Sequence, residues 1–197
     1  MIQVRGFLAV CFFWFFATTV LAGPALDTVK GEVEAVLKIL NDPAYKGDKG
    51  KAAKQDRIRS VSQKMFDFTE LSKRTLGGNW NRFSASERQE FVSLFRGILE
   101  GAYIDKITSY SDEKISYTKE VQLSENTAEV QSVILTKGAE IPVNYRMFSR
   151  DGQWRVYDVV IEGVSLVNNY RSQFREILAS NQPAYLLDTM KRKARKQ

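Results

Sequence analysis

Along Ser84 to Tyr103, apolar side chains recur every three or four positions. At about 100° per residue, Phe91, Val92, Leu94, Phe95, Ile98, Leu99, Ala102 and Tyr103 fill roughly half of a helical circumference. Ser84 precedes Glu87 by three residues, the capping-box spacing that satisfies free amides where a helix begins. Arg96 and Glu100 mark the wet side, and Gly97 and Gly101 leave a smooth stripe beside Leu94. An arc this wide suits either a core helix or one wall of an apolar cavity. Periodicity alone favours the core and leaves the cavity open.

The same spacing predicts a first helix over Pro24 to Leu40, carried by Val29, Val33, Val36, Leu37 and Leu40 and stopped at Asn41-Asp42-Pro43. Tyr45 to Ala53 is polar and glycine-bearing and reads as a loop. A weaker helical pattern follows over Arg57 to Phe68, then an apolar turn that closes at Gly77-Gly78. From Glu113 the period changes to two. Ile115, Tyr117, Val121 and Leu123 alternate with polar residues, with Lys119 misplaced on the apolar side. Turns at Ser124-Glu125-Asn126, Lys137-Gly138 and Asp151-Gly152 divide the segment into a four-stranded antiparallel meander, and Asp-Gly is the strongest hairpin signal of the three. The second strand and the fourth, Gln153 to Glu162, are apolar on both faces, so both faces of the sheet are at least partly covered. Gly163 bends the chain out of the sheet. Two helices follow, one carried by Leu166, Val167, Tyr170, Phe174, Ile177 and Leu178, the other over Tyr185 to Lys196. Helices, meander, helices: the fold class is α+β.

Composition separates a leader from the rest. Phe7 to Val20 is an apolar run too short for the ~20 residues of a spanning helix, and Val20-Leu21-Ala22 suits a signal peptidase. Residues 1–22 are therefore expected to be a cleaved signal peptide, with residues 23–197 forming one domain that is exported to the periplasm and begins at Gly23. The single cysteine, Cys11, leaves with the leader, and the chain has no histidine. The mature part thus has no disulfide, no thiolate nucleophile, no imidazole base and none of the usual zinc or copper ligand sets. Without Arg5, 28 basic side chains face 23 acidic ones, and five of the 28 are Lys191, Arg192, Lys193, Arg195 and Lys196. The remainder is neutral, so no basic face offers itself to nucleic acid. The cationic end suits either an anionic membrane or acidic partner, or simply a helix C-terminus.

Catalytic carboxylates were sought among Asp67, Asp105, Asp158 and Glu162. Asp158 and Glu162 share a strand face at about 13 Å, beyond the ~9.5 Å limit of a glycosidase pair. Caps and bonds to loop amides are the expected roles for all four. No phosphate-binding glycine loop and no nucleophile elbow occurs.

Two long blocks carry a resemblance. FDFTELSKRTLGGNWNRFSASERQEFVSLFRGILEGAY and WRVYDVVIEGVSLVNNYRSQF are similar to the signature segments of the MlaC family, periplasmic phospholipid shuttles of the system that maintains outer-membrane lipid asymmetry. The resemblance implies an NTF2-like fold, a curved meander packed with helices around a deep apolar pocket, with no enzymatic activity and no cofactor. It implies a diacyl phospholipid as cargo. It also implies two partners, an outer-membrane lipoprotein–porin complex and an inner-membrane ABC transporter complex. A carrier of another apolar molecule, such as an isoprenoid, is the alternative reading.

The pocket is expected to lie between the helix at Ser84 to Tyr103 and the inward faces of the meander. Phe95, Leu99, Tyr103, Val143, Tyr145, Val159 and Val164 are placed nearest the acyl chains, and Arg171 nearest the head group. On that reading Leu99→Glu leaves a folded protein that copurifies without phospholipid.

Overall fold

The computed structural model describes residues 23–110 and 114–195. The expected signal peptide and the last two residues of the basic end lie outside them.

Among the described residues, six α-helices and an antiparallel sheet make up the fold. Helix α1 spans Pro24–Asn41, α2 Asp48–Met65, α3 Phe68–Leu76 and α4 Ala85–Thr108. Strands β1 (Lys114–Ser124), β2 (Thr127–Leu135), β3 (Glu140–Arg150) and β4 (Gln153–Ile161) form the expected meander. A two-residue β5, Val164–Ser165, is added at the edge before α5 (Leu166–Ser180) and α6 (Pro183–Ala194). No described helix is long and apolar enough to cross a membrane.

Local chemistry accounts for most of these boundaries. At Ser84 both halves of the capping box form, and the bonds from the Ser84 amide and hydroxyl hold the Glu87 carboxyl below its ordinary value. Asp67 caps α3 by accepting from the Glu70 amide at 2.8 Å. Asp151 and Gly152 both take positive φ, as a two-residue hairpin turn requires.

Three expectations are corrected. The polar stretch Tyr45 to Ala53 is a loop only as far as Gly47, and α2 starts at Asp48. Its start carries no apolar stripe because Lys49, Lys51, Ala52 and Ala53 are exposed to solvent. Gly50 lets the first turn lie against the Tyr45 backbone, where a Cβ would come within 2.6 Å. Gly163 does not release the chain from the sheet: Glu162 and Gly163, both at positive φ, make a second tight hairpin that pairs Ile161 with Val164. The misplaced Lys119 marks a bulge, where the pairing jumps from Tyr117–Ser132 to Lys119–Gln131. That extra residue turns Lys119 to solvent and brings Glu120 opposite Val130, where its Oε2 accepts from the Leu26 amide at 2.8 Å in the first turn of α1.

Candidate functional site

Strand register sorts the inner face of the sheet into rows. Ala128, Met147 and Val156 form one, and Val130, Tyr145 and Val159 the next. Tyr117, Ser132, Val143 and Ile161 form a third, and Ile115, Ile134 and Ile141 a fourth. Burial falls along this series. Every member of the first row is fully buried, whereas all three isoleucines of the fourth are only partly covered. Helix α1 lies over this face and shows the same gradient. Ala25, Leu26 and Val29 are buried, while Val33, Val36, Leu37 and Leu40 are half-buried. An open cleft of about 520 Å³ lies on the second half of α1, lined mostly by polar residues, Glu34, Lys38, Asn41 and Asp42, together with Leu37. A second, of about 340 Å³, separates α1 from α2 around Ala35, Ile39, Tyr45 and Val61. The half-covered isoleucine row and the half-buried Val33, Leu37 and Leu40 of α1 are the loosely covered apolar surface that an apolar ligand needs.

Polar groups here are few. The Ser132 hydroxyl is buried and donates to the Val143 carbonyl at 2.6 Å. Tyr117 Oη is buried with no hydrogen-bond partner. Burial and the nearby Glu34 carboxylate push the Tyr117 phenol up to about 12. Tyr145 is raised further, by burial first and then by the neighbouring Tyr117 and Tyr110 phenols. Three phenols from β1, β3 and the segment after α4 therefore gather on an otherwise apolar surface.

The helical side is packed differently. Phe91, Phe95, Tyr170 and Phe174 interlock, with Phe95 at 4.9 Å from Tyr170 and 5.4 Å from Phe174 between ring centroids, mostly edge to face. Leu99 and Tyr103 belong to the same cluster, which is built by α3 to α6. Val143, Tyr145 and Val159 belong to the cluster of α1 and the sheet. The expected lining residues thus fall into two separate clusters rather than one wall. Val164 lies outside both, 57% exposed on the edge strand, because the Glu162–Gly163 hairpin turns it to solvent. Arg171 is exposed on α5, and its Nε and Nη2 both donate to the Arg74 carbonyl in the last turn of α3.

The four carboxylates examined in sequence show structural roles wherever a bond is formed. Asp67 is a cap, and Asp105 takes Gln55 and Lys51 from α2. Asp158, buried at 2%, accepts from Ser165 Oγ at 2.6 Å, the Val167 amide at 3.0 Å and Arg146 Nη1 at 3.3 Å. Arg146 also reaches Glu129 at 3.0 Å, so one ionic chain ties β2, β3 and β4 to the start of α5. Lys191, Arg192 and Lys193 of the basic end lie in α6, where Lys191 pairs with Glu90 at 2.8 Å. Sequence reasoning passed over the second half of α1 as a wall. Its signal was there, in apolar residues interleaved with Glu34 and Lys38 on a helix already recognised.

The fold has relatives. The solved structure of a phospholipid-binding protein from Ralstonia solanacearum, in complex with a phospholipid, matches at a TM-score of 0.77 and 20% identity, covering 87% of this chain and 97% of that one. Among sequences, the intermembrane phospholipid transport system binding protein MlaC of Haemophilus influenzae is 26% identical over 156 residues, or 76% of this chain and 69% of that protein. The toluene tolerance protein ttg2D of Pseudomonas putida is 25% identical over 167 residues, covering 83% and 77%. The profile of the family described as MlaC protein matches residues 30–192, from within α1 to within α6, and the chain belongs to the MlaC family.

Proposed function

We propose that this protein is a periplasmic phospholipid carrier that takes diacyl phospholipid across the space between outer and inner membranes and performs no catalysis. The observation that carries the reading is the gradient of burial along the inner face of the sheet, in a chain of this family. Apolar rows that α1 covers at one end and leaves half open at the other suit acyl chains. The residues proposed to meet them are Val143, Tyr145 and Val159, joined by Ile115, Ile134 and Ile141 and by Val33 and Leu37 of α1. Phe95, Leu99 and Tyr103 hold the adjoining scaffold.

Energetics set what such a carrier must do. Each methylene removed from water is worth ~0.8 kcal/mol, so one 16-carbon chain approaches ~13 kcal/mol before entropy and reorganisation. Free lipid does not leave a bilayer at a useful rate against that barrier. A carrier lowers it by covering the chain and must then release it, which requires a change in how α1 sits on the sheet or a partner that takes the cargo. The partners proposed are an outer-membrane lipoprotein–porin complex and an inner-membrane ABC transporter complex.

Native mass spectrometry of the purified mature protein, with organic extraction of whatever it holds, tests this. Diacyl phospholipid at near-stoichiometric occupancy is expected. Recovery of an isoprenoid or another lipid would keep the carrier and change the cargo, and a protein that neither copurifies with lipid nor takes it from vesicles would overturn the reading.

A further inference from the structure

Among the described residues, Tyr117 carries a fully buried polar atom on the inner sheet face that nothing in the fold uses. Its Oη is buried without a partner, although buried hydroxyls in folded proteins are nearly always bonded. The neighbour in register, Ser132, has turned its own hydroxyl to the Val143 carbonyl. The Glu34 carboxylate on α1 is near enough to act on the phenol electrostatically, yet it makes no hydrogen bond to it. Apolar rows flank the position on both sides, Ile115–Ile134–Ile141 and Val130–Tyr145–Val159.

Resting on the carrier reading above, we propose that Tyr117 Oη is the donor for an uncharged oxygen of the cargo, the ester carbonyl at the root of an acyl chain. A phenol at this site remains protonated at neutral pH and keeps its hydrogen for an acceptor. The negative charge of Glu34 argues against a phosphate beside the phenol, because two anions repel. A carbonyl carries no net charge and matches a single neutral donor. Lys38, one helical turn beyond Glu34 and on the same open cleft, is the cation in reach of a phosphate lying further out. An esterified lipid thus meets apolar rows with its chains, a phenol with its ester and an ammonium with its phosphate, in the order in which those groups occur in the molecule.

The test compares Tyr117→Phe with the wild-type mature chain. Two probes are used, a diacyl phosphatidylglycerol and its dialkyl-ether analogue of equal chain length, both offered in vesicles. The wild type is expected to favour the diester by about fivefold, the worth of one neutral hydrogen bond. The variant should lose that preference by binding the diester about fivefold more weakly. In lipid-free protein the same substitution removes an orphaned hydroxyl, so its melting temperature should be equal or higher. A variant that keeps the diester preference, or a wild type that takes both lipids equally, overturns the assignment alone. So does a lipid-free variant that melts lower with unchanged lipid affinity, since that outcome gives Oη a structural partner such as a bound water. A wild type that takes up neither probe overturns the carrier reading and this assignment with it.

Discussion

The cluster of α3 to α6 and the cluster of α1 on the sheet draw on similar residue types and bury them to different depths. In the first, Phe91, Phe95 and Leu178 are 2% exposed or less, and four aromatic rings fill one another's gaps. Such interlocking is a packed interior in which neither a void nor a charge is tolerated. In the second, β-branched residues and tyrosines line one face of a sheet, and α1 with Met65 from the end of α2 covers them unevenly. Apolar content therefore does not distinguish scaffold from site. What distinguishes them is whether a second layer of protein side chains closes over the apolar surface.

A charge placed in each cluster should separate them most sharply. Leu99→Glu, at 7% exposure inside the helical cluster, buries an unpaired carboxylate at a cost of several kcal/mol, comparable to the whole stability of a domain. Global unfolding by circular dichroism is expected, in contrast to the folded, empty protein that the sequence reading anticipated. Ile134→Glu, on the half-covered row, should keep a cooperative thermal transition and give native mass spectra without phospholipid. The reverse pattern would move the cavity to α4 and make the sheet face an ordinary core.

Truncations sharpen the same contrast with smaller effects. Phe95→Ala removes a ring that touches three others and should cost about 3–5 kcal/mol in urea unfolding. Ile141→Ala, half-buried, should cost about 1 kcal/mol, because less area is removed from cover and water can enter. Equal losses would mean that the two clusters are packed alike.

Much of this organisation was legible in the sequence, and the limits have physical causes. The helix at Ser84 announced itself through its cap and its spacing, and the meander through its period and the Asp151-Gly152 turn. Helix α2 was half hidden, because an element whose first turns are solvated carries no apolar stripe to read. The fifth strand was hidden because Glu162-Gly163 is a weaker hairpin signal than Asp-Gly, although it adopts the same backbone. For the site, the inward positions Val143 and Tyr145 could be read from alternation. Val159 joins Val156 on the inner face only because a bulge at Tyr157 breaks the alternation that put them on opposite faces. Which side of the half-apolar α4 met other helices could not be read, since a periodicity of 3.6 describes a face and not its occupant. The jump at Lys119 was visible as a flaw in the pattern, and its meaning depended on Glu120 reaching α1, a contact 94 residues distant.

The two clusters are joined through Asp158, and breaking that joint should cost stability without touching cargo. Asp158→Ala leaves Ser165 Oγ and the Val167 amide without their acceptor, and strips Arg146 of one of its two carboxylates. Arg146 is about one-third exposed and keeps Glu129, so the penalty falls below that of a fully buried broken pair, at about 2–3 kcal/mol. Lower urea midpoints with unchanged lipid occupancy are expected. Loss of lipid would instead make the start of α5 part of the binding face.

The smallest effect expected is an alkaline one, and it should be weighted toward the sheet. Tyr117 is raised to about 12 in the folded chain against an ordinary value of 10.0, so the native state holds that proton more tightly than the unfolded state. The resulting stabilisation is fully present below pH 10 and is lost as pH rises from about 10 through about 12. On the helical side, Tyr103 and Tyr170 are also raised by burial, Tyr170 with an added contribution from Tyr103, but neither has a carboxylate acting on it as Glu34 acts on Tyr117. Urea unfolding of lipid-free protein at a series of pH values should therefore show a fall above pH 10 that Tyr117→Phe flattens more than Tyr103→Phe does. The effect is modest because Tyr117 is half-buried and solvent screens part of the charge. Should Tyr103→Phe flatten the curve more, the poorly hydrated phenol would be the one on α4, and the boundary between closed scaffold and open face would have to be redrawn through the helical cluster.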